Sequence, residues 1–253
     1  MHVRWARFSV VALLVAACGE GTTSVADGQE PVSDTTAEAT TTTQPVPSTT
    51  DAPTPTALPA EPAAPVAFVA VTHTLDEAEL GASWQPGCPV AVEDLRRIEM
   101  PHHDDVGDVV IGSLVVHRDH VDAVIDVFER LYEAAFPIHS MVPISTFAAD
   151  DNASMAANNT SAFNCREIDG RPGVWSQHSF GGAIDINPLV NPWVRSDRVD
   201  PPSGIDYVDR DQDVPGIIRA GDVVTEAFAA IGWQWGGDWT TSKDYQHFSH
   251  DGN

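Results

Sequence analysis

Ser176-Gln177-His178-Ser179-Phe180-Gly181-Gly182-Ala183-Ile184-Asp185-Ile186-Asn187 is the stretch that organises the reading of this chain. Its second half alternates strictly, with Ile184 and Ile186 on one face and Ala183, Asp185 and Asn187 on the other, which is the period of a β-strand. A strand that sends its isoleucines into a core aims Asp185 the other way. Gly181 and Gly182 reach backbone conformations closed to other residues. They are expected to bend the chain close to a bound ion and to swing His178 round toward Asp185. Alone, His178 reads as a loop histidine and Asp185 as a solvated strand carboxylate.

A second stretch changes that balance: Trp233-Gln234-Trp235-Gly236-Gly237-Asp238-Trp239, followed by Asp244-Tyr245-Gln246-His247-Phe248. His247 falls on a short strand-like segment whose Phe248 can face the core. His178, Asp185 and His247 supply two imidazoles and a carboxylate, and Asp244 is a spare acid nearby. Three protein ligands, one open coordination position and an adjacent base are what a hydrolytic Zn2+ site requires. In an ideal strand Asp244 would face away from His247. It is expected to reach the site through a turn at Ser242-Lys243-Asp244 or a brief helical segment. Trp233, Trp235 and Trp239 read as core and cleft wall rather than a sugar platform, and Lys243 as a surface residue. His102, His103, His117 and His120 lack a register for one metal and read as surface or turn residues, whereas His250 competes with His247 as a ligand.

Around these motifs the pattern is mixed. Asp108 to Val116 has the β-branched richness of a strand buried on both sides. Val121, Val124, Ile125, Phe128, Leu131, Tyr132 and Ala135 recur by threes and fours, one face of a helix, with Asp119 as its N-cap and Pro137 at its end. His139 to Phe147 reads as a strand, and the following stretch to Pro172 as loop. A second helix is expected from Asp222 to Ile231, with Val224, Ala227, Phe228 and Ile231 inward and Gly232 closing it. Strands and helices show no steady βαβ rhythm, so the class is α+β: a small, mostly antiparallel sheet flanked by helices.

The N-terminus bears on location. Arg4 and Arg7 precede an apolar run from Phe8 to Ala17, too short to span a bilayer, that ends in Val15-Ala16-Ala17-Cys18. This reads as an export signal over residues 1–18, and it resembles the bacterial lipoprotein signal, in which the cysteine is lipidated. Cys18 would then anchor the protein to the outer side of a bacterial cell membrane. Residues 19–66 are rich in Thr, Pro and Ala and read as a disordered linker. Such a tether reaches roughly 40 Å as a coil and on the order of 150 Å extended. Residues 67–253 then form one domain, expected to be monomeric. The net charge of −24 argues against nucleic-acid partners. With Cys18 assigned to lipid, Cys88 and Cys165 remain for a disulfide in an oxidising compartment; neither has the CxxC spacing of a zinc ligand.

The spacing Ser176-x-His178-x6-Asp185, with Trp235-Gly236-Gly237-Asp238-Trp239 and Asp244-x-x-His247-Phe248, resembles the VanY-like D-alanyl-D-alanine carboxypeptidase family of zinc peptidases. Similar enzymes include D-Ala-D-Ala dipeptidases and the L-alanyl-D-glutamate peptidases of phage endolysins. The resemblance spans roughly residues 141–250 and implies a hedgehog/DD-peptidase-like fold. It implies zinc ligation by His178, Asp185 and His247, catalysis by Asp244, and substrate binding by Ser176. It also implies peptidoglycan stem peptides as substrates, with internal cleavage between L-Ala and D-Glu, or wall binding without catalysis, as alternatives. Many members have Glu where this chain has the shorter Asp244. Many also carry an arginine in a Ser-Gly-Tyr-Arg segment, and the counterpart here, Ser145-Thr146-Phe147-Ala148, has none. Arg166 is the candidate substitute, ahead of Arg171 and Arg195; its alternative is an exposed arginine paired with Glu167 or Asp169.

Overall fold

The computed structural model describes residues 66–252. The expected signal segment, the lipid site at Cys18 and the linker through residue 65 lie outside the described residues.

Strands β1 (Val71–Thr74), β2 (Leu95–His103) and β3 (Val109–His117) form an antiparallel sheet in the order β1-β2-β3, with the short helix α1 (Glu77–Leu80) between the first two. Helix α2 (Val121–Glu133) buries Val121, Val124, Val127, Phe128 and Leu131 against Ile98, Met100, Leu114 and Val116 of that sheet. Each such side chain contributes about 1.5–3 kcal/mol when fully removed from water. Next come β4 (Ser140–Met141), α3 (Asp151–Ala156) and β5 (Asn159–Thr160), then β6 (Ala183–Asp185), β7 (Trp193–Val194) and β8 (Val199–Asp200). Helix α4 (Val223–Ala230), β9 (Gln234–Trp235), β10 (Lys243–Asp244) and β11 (His247–Ser249) complete the described elements.

Two further three-stranded sheets, β6-β11-β9 and β10-β7-β8, are both antiparallel and hold Asp185, His247 and Asp244. Only β4 and β5 pair in parallel among the described strands. The architecture is α+β, as the irregular alternation of elements predicts. Ile184, Ile186 and Phe248 enter the same core as α2 and α4. The Phe228 and Phe248 rings stack with centroids 4.1 Å apart, fastening β11 to α4. A second, smaller core gathers Leu80, Val90, Leu95, Val115 and Phe163. Beside it a disulfide joins Cys88 to Cys165, with a Cα–Cα distance of 5.9 Å. No helix among the described residues is long and apolar enough to cross a membrane.

Several local expectations are corrected. Strand β3 is buried on both faces only over Leu114–Val116, and its start is open, with Ile111 67% exposed. Asp119 does not cap α2. His120 occupies the N-cap, and a 3-10 turn over Arg118–His120 is capped by the His117 ring, which accepts from the Asp119 amide. The segment from His139 is a strand only at Ser140–Met141, because Pro143 breaks it and Ile144–Phe147 turns into a 3-10 helix. The stretch read as loop contains α3, whose N-cap Asp150 accepts from Ala153 N. Helix α4 forms over the expected residues, with the Asp222 side chain accepting from Thr225 N.

Candidate metal centre and cleft

Strand register brings the two motifs together. In the β6–β11 ladder Asp185 lies directly opposite His247 and Ile184 opposite Phe248. Side chains so paired share a face, so the core contact of Ile184 with Phe248 turns Asp185 and His247 to the other side. His178 arrives from a 3-10 turn over Gln177–Phe180, capped by the Ser176 hydroxyl, which accepts from His178 N at 3.3 Å. Gly181 ends that turn with φ of 65°. A Cβ there would lie 2.4 Å from the His117 backbone nitrogen, and Gly181 O accepts from His117 N at 3.0 Å. The glycine therefore permits a close approach to β3 rather than to an ion, correcting the sequence expectation.

The three side chains are buried and their donor atoms converge. His178 Nε2 lies 3.2 Å from Asp185 Oδ2, His247 Nδ1 lies 3.0 Å from Asp185 Oδ1, and the two ring nitrogens are 3.3 Å apart. The His178 Nδ1–H donates to Ala162 O at 2.6 Å, which turns the lone pair of Nε2 toward the group. Two imidazole nitrogens and a carboxylate so close need a proton or a cation among them. Metal–ligand bonds of about 2.0–2.1 Å at tetrahedral angles separate donor atoms by about 3.3 Å. The spacing and the N, N, O donor set therefore fit a zinc ion.

The electrostatics follow from burial and proximity. Burial pushes the Asp185 carboxyl up, but His178 and His247 beside it hold it well below the usual carboxylate range. Burial pushes His178 down, and the charge and hydrogen bond of Asp185 outweigh that and raise it. Asp244 behaves oppositely. It is 8% exposed, its Oδ1 has no hydrogen-bond partner among the described residues, and burial, helped by the nearby Asp185 charge, pushes it up to about 8.

Asp244 sits in the cleft beside His247, but not for the expected reason. Lys243 and Asp244 are extended and pair with β7. The redirection comes after Asp244, at Tyr245–Gln246, where the chain leaves one sheet for the next. Tyr245 N donates to Pro192 O there, and Gln246 O accepts from Ile186 N. The cleft has a volume of about 1190 Å³. Arg166 lines it and pairs with Asp151 at 2.8 Å, not with Glu167 or Asp169. Arg171 and Arg195 line it too, with Arg195 held by Asp200. Trp239 is cleft wall, whereas Trp233 and Trp235 belong to the core. Lys243 donates to Gly237 O at 2.9 Å and so ties the β10 segment down instead of standing free. His250 stands outside the converging group, its ring against His120. Asp151 and Trp193 were missed by sequence reasoning, since neither lies within the two motifs.

Residues 169–250 match the family model described as D-alanyl-D-alanine carboxypeptidase. No curated protein and no solved structure matches. The resemblance to this peptidase family, indicated by the two motifs, is borne out over that span, which holds the whole converging group and Asp244. It begins later than residue 141, so the segment Ser145 to Ala148 falls outside it. The match supports a peptidase.

Proposed function

We propose that the protein is a zinc-dependent carboxypeptidase that removes the terminal D-Ala from peptidoglycan stem peptides ending in D-Ala-D-Ala. The observation that carries this reading is the 3.0–3.3 Å convergence of His178 Nε2, Asp185 and His247 Nδ1 beside Asp244, whose Oδ1 has no partner among the described residues. It lies within the span that matches the carboxypeptidase family.

His178, Asp185 and His247 would hold the ion. Zinc bound there supplies a Lewis acid that polarises a carbonyl and acidifies water. The chain's own residues do the rest. Asp244, ionised, takes a proton from the attacking water on Oδ1 as the water oxygen bonds to the scissile carbonyl carbon. It returns that proton to the leaving amine as the C–N bond breaks, giving a carboxylic acid and an amine. Arg166 offers a guanidinium to the substrate on exchange of its Asp151 contact. Ala162 O fixes the tautomer of His178, and Ser176 fixes the turn that carries it, while remaining on the cleft wall as a substrate contact.

Location belongs to the same proposal. A lipid on Cys18 would hold the enzyme outside the cytoplasm at a bacterial membrane, and the linker would let it reach the wall. The Cys88–Cys165 disulfide supports an oxidising compartment. Incubation with defined stem peptides, with and without a chelator, followed by mass analysis, tests the reading. Chelator-sensitive release of free D-Ala is expected. Internal fragments would replace it with an L-Ala–D-Glu endopeptidase, and wall binding without any product would replace it with a non-catalytic binder.

A further inference from the structure

The chain carries 13 lysines and arginines at a net charge of −24, yet Arg166, Arg171, Arg195 and Arg198 all line the cleft beside the metal centre. Strand register sets two of them side by side. In the sheet β10-β7-β8 Asp244 pairs with Trp193, and Trp193 with Asp200. Two residues on from that pair, Arg195 N donates to Arg198 O at 2.9 Å and closes the β7–β8 hairpin. Directly paired residues share a face, and so do residues two apart on a strand. Both arginines therefore rise from the face that carries Asp244, and all five residues line the cleft. Their side chains stay accessible, Arg195 at 20% and Arg198 at 46%.

Two guanidiniums so placed repel each other unless anions lie between them. Two carboxylates do. Asp200 is buried, belongs to the same hairpin, and accepts from Arg195 Nη2 at 2.5 Å and Arg198 Nε at 2.8 Å. Asp169 comes from a separate turn, where Arg171 N donates to Ile168 O, and its Oδ2 contacts Nη2 of both arginines. The Asp169 side chain is 55% exposed. Exposed ion pairs hold weakly, so Asp200 is the fixed counter-ion and Asp169 the exchangeable one. The position suits the end of a peptide. The Arg195 guanidinium lies over the Trp193 ring, 4.0 Å from its centroid, on the strand next to Asp244. Neighbouring strands are about 4.8 Å apart, and one residue spans about 3.8 Å of chain. A carboxylate one residue beyond a carbonyl attacked beside Asp244 therefore falls within reach of Arg195.

We propose that Arg195 and Arg198 are the carboxylate-reading residues of the cleft, binding the free C-terminal carboxylate of the peptide in exchange for Asp169. This inference rests on the carboxypeptidase reading above and deepens it, since it names the substrate group that selects a terminal bond. A cleft that grips a chain end beside its general base cuts next to that end, whereas a cleft without such a grip treats internal and terminal bonds alike.

The test uses the zinc-loaded chain and a synthetic pentapeptide ending in D-Ala-D-Ala, prepared as the free acid and as the C-terminal amide. Product release is followed at whichever bond is cut. Wild type should favour the acid by about 30-fold or more in kcat/KM, because only the acid offers an anion to the two guanidiniums. That acid-to-amide ratio should fall about 10-fold in Arg198→Gln and in Arg195→Gln. A merely structural arginine would slow both peptides alike and leave the ratio at its wild-type value. Arg195→Gln takes a partner from the buried Asp200; should it fail to fold, Arg198→Gln decides alone. Asp169→Asn removes the competing anion and should lower KM for the acid about 2–5-fold. A wild-type ratio near one overturns the inference, as does a ratio unmoved by Arg198→Gln or a KM for the acid that does not fall in Asp169→Asn. Internal fragments with the ratio intact would remove the carboxypeptidase reading and keep the subsite. If neither peptide is cut, calorimetric titration with the two peptides judges the subsite. Tighter binding of the acid that is lost in Arg198→Gln supports it, and equal binding or none ends it.

Discussion

Replacing Asp244 by Asn separates the physics of the candidate base from its chemistry. In the metal-free protein the Asp244 carboxyl is pushed from 3.8 up to about 8, chiefly by burial. A group with a raised folded pKa contributes its full stability below its unfolded pKa and loses it as pH rises through the folded value. The window here therefore runs from about pH 4 to pH 8. A shift of about four units corresponds to on the order of 5 kcal/mol of stability lost by the wild type across that window. The asparagine side chain is a neutral isostere of the protonated acid and loses none of it. Near pH 4 chelator-treated wild type and Asp244→Asn should melt together. At pH 9 the variant should melt higher, by roughly 10–20 °C for a domain of this size. Saturating zinc should narrow the gap, because a cation beside the carboxylate favours its charged form. Calorimetry of both proteins from pH 4 to 9 reads the difference directly, and the remaining titrating groups are common to both. Parallel curves over the whole range would refute the assignment of a buried, unmet carboxylate. Turnover of the zinc-loaded variant should drop by about 10²–10⁴-fold with zinc still bound.

Other perturbations test other links. His178→Ala should abolish zinc uptake and turnover together, read by elemental analysis and product assay; retained zinc would remove His178 from the ligand set. Asp185→Ala leaves two buried imidazoles without their carboxylate and should destabilise the metal-free fold by about 3–5 kcal/mol in denaturant titration. Gly181→Ala forces a left-handed conformation, costing about 1–2 kcal/mol, and a Cβ 2.4 Å from His117 N. The turn carrying His178 must then move, so activity should fall about 100-fold or more, beyond what the stability loss explains. Paired Cys88→Ser and Cys165→Ser substitutions open a loop with a sequence separation of 77 and should lower unfolding free energy by roughly 4 kcal/mol. An undiminished melting temperature would count against a structural disulfide.

Much of the centre is legible in the sequence because it is built on alternation. Ile184 and Phe248 are apolar neighbours of Asp185 and His247, so burying the first pair dictates the direction of the second. Helices α2 and α4 are equally legible from their spaced apolar residues. What eluded the sequence depends on contacts between distant segments. The role of Gly181 is set by the backbone of β3, some sixty residues earlier, and the pairing of Arg166 by Asp151, which sits on a six-residue helix too short to show a period. The crossing from β10 to β11 at Tyr245–Gln246 is set by Pro192 and Ile186 as acceptor and donor, and nothing local marks it.

In the sheet β6-β11-β9 the middle position is taken by the most C-terminal of the described strands. Without that strand β6 and β9 share no neighbour, Phe228 lacks the Phe248 ring stacked on it, and the converging group lacks His247. The convergence of the three donor side chains and the closing of the hydrophobic core therefore depend on the same strand, and a chain cut between β9 and β11 is expected to lose both.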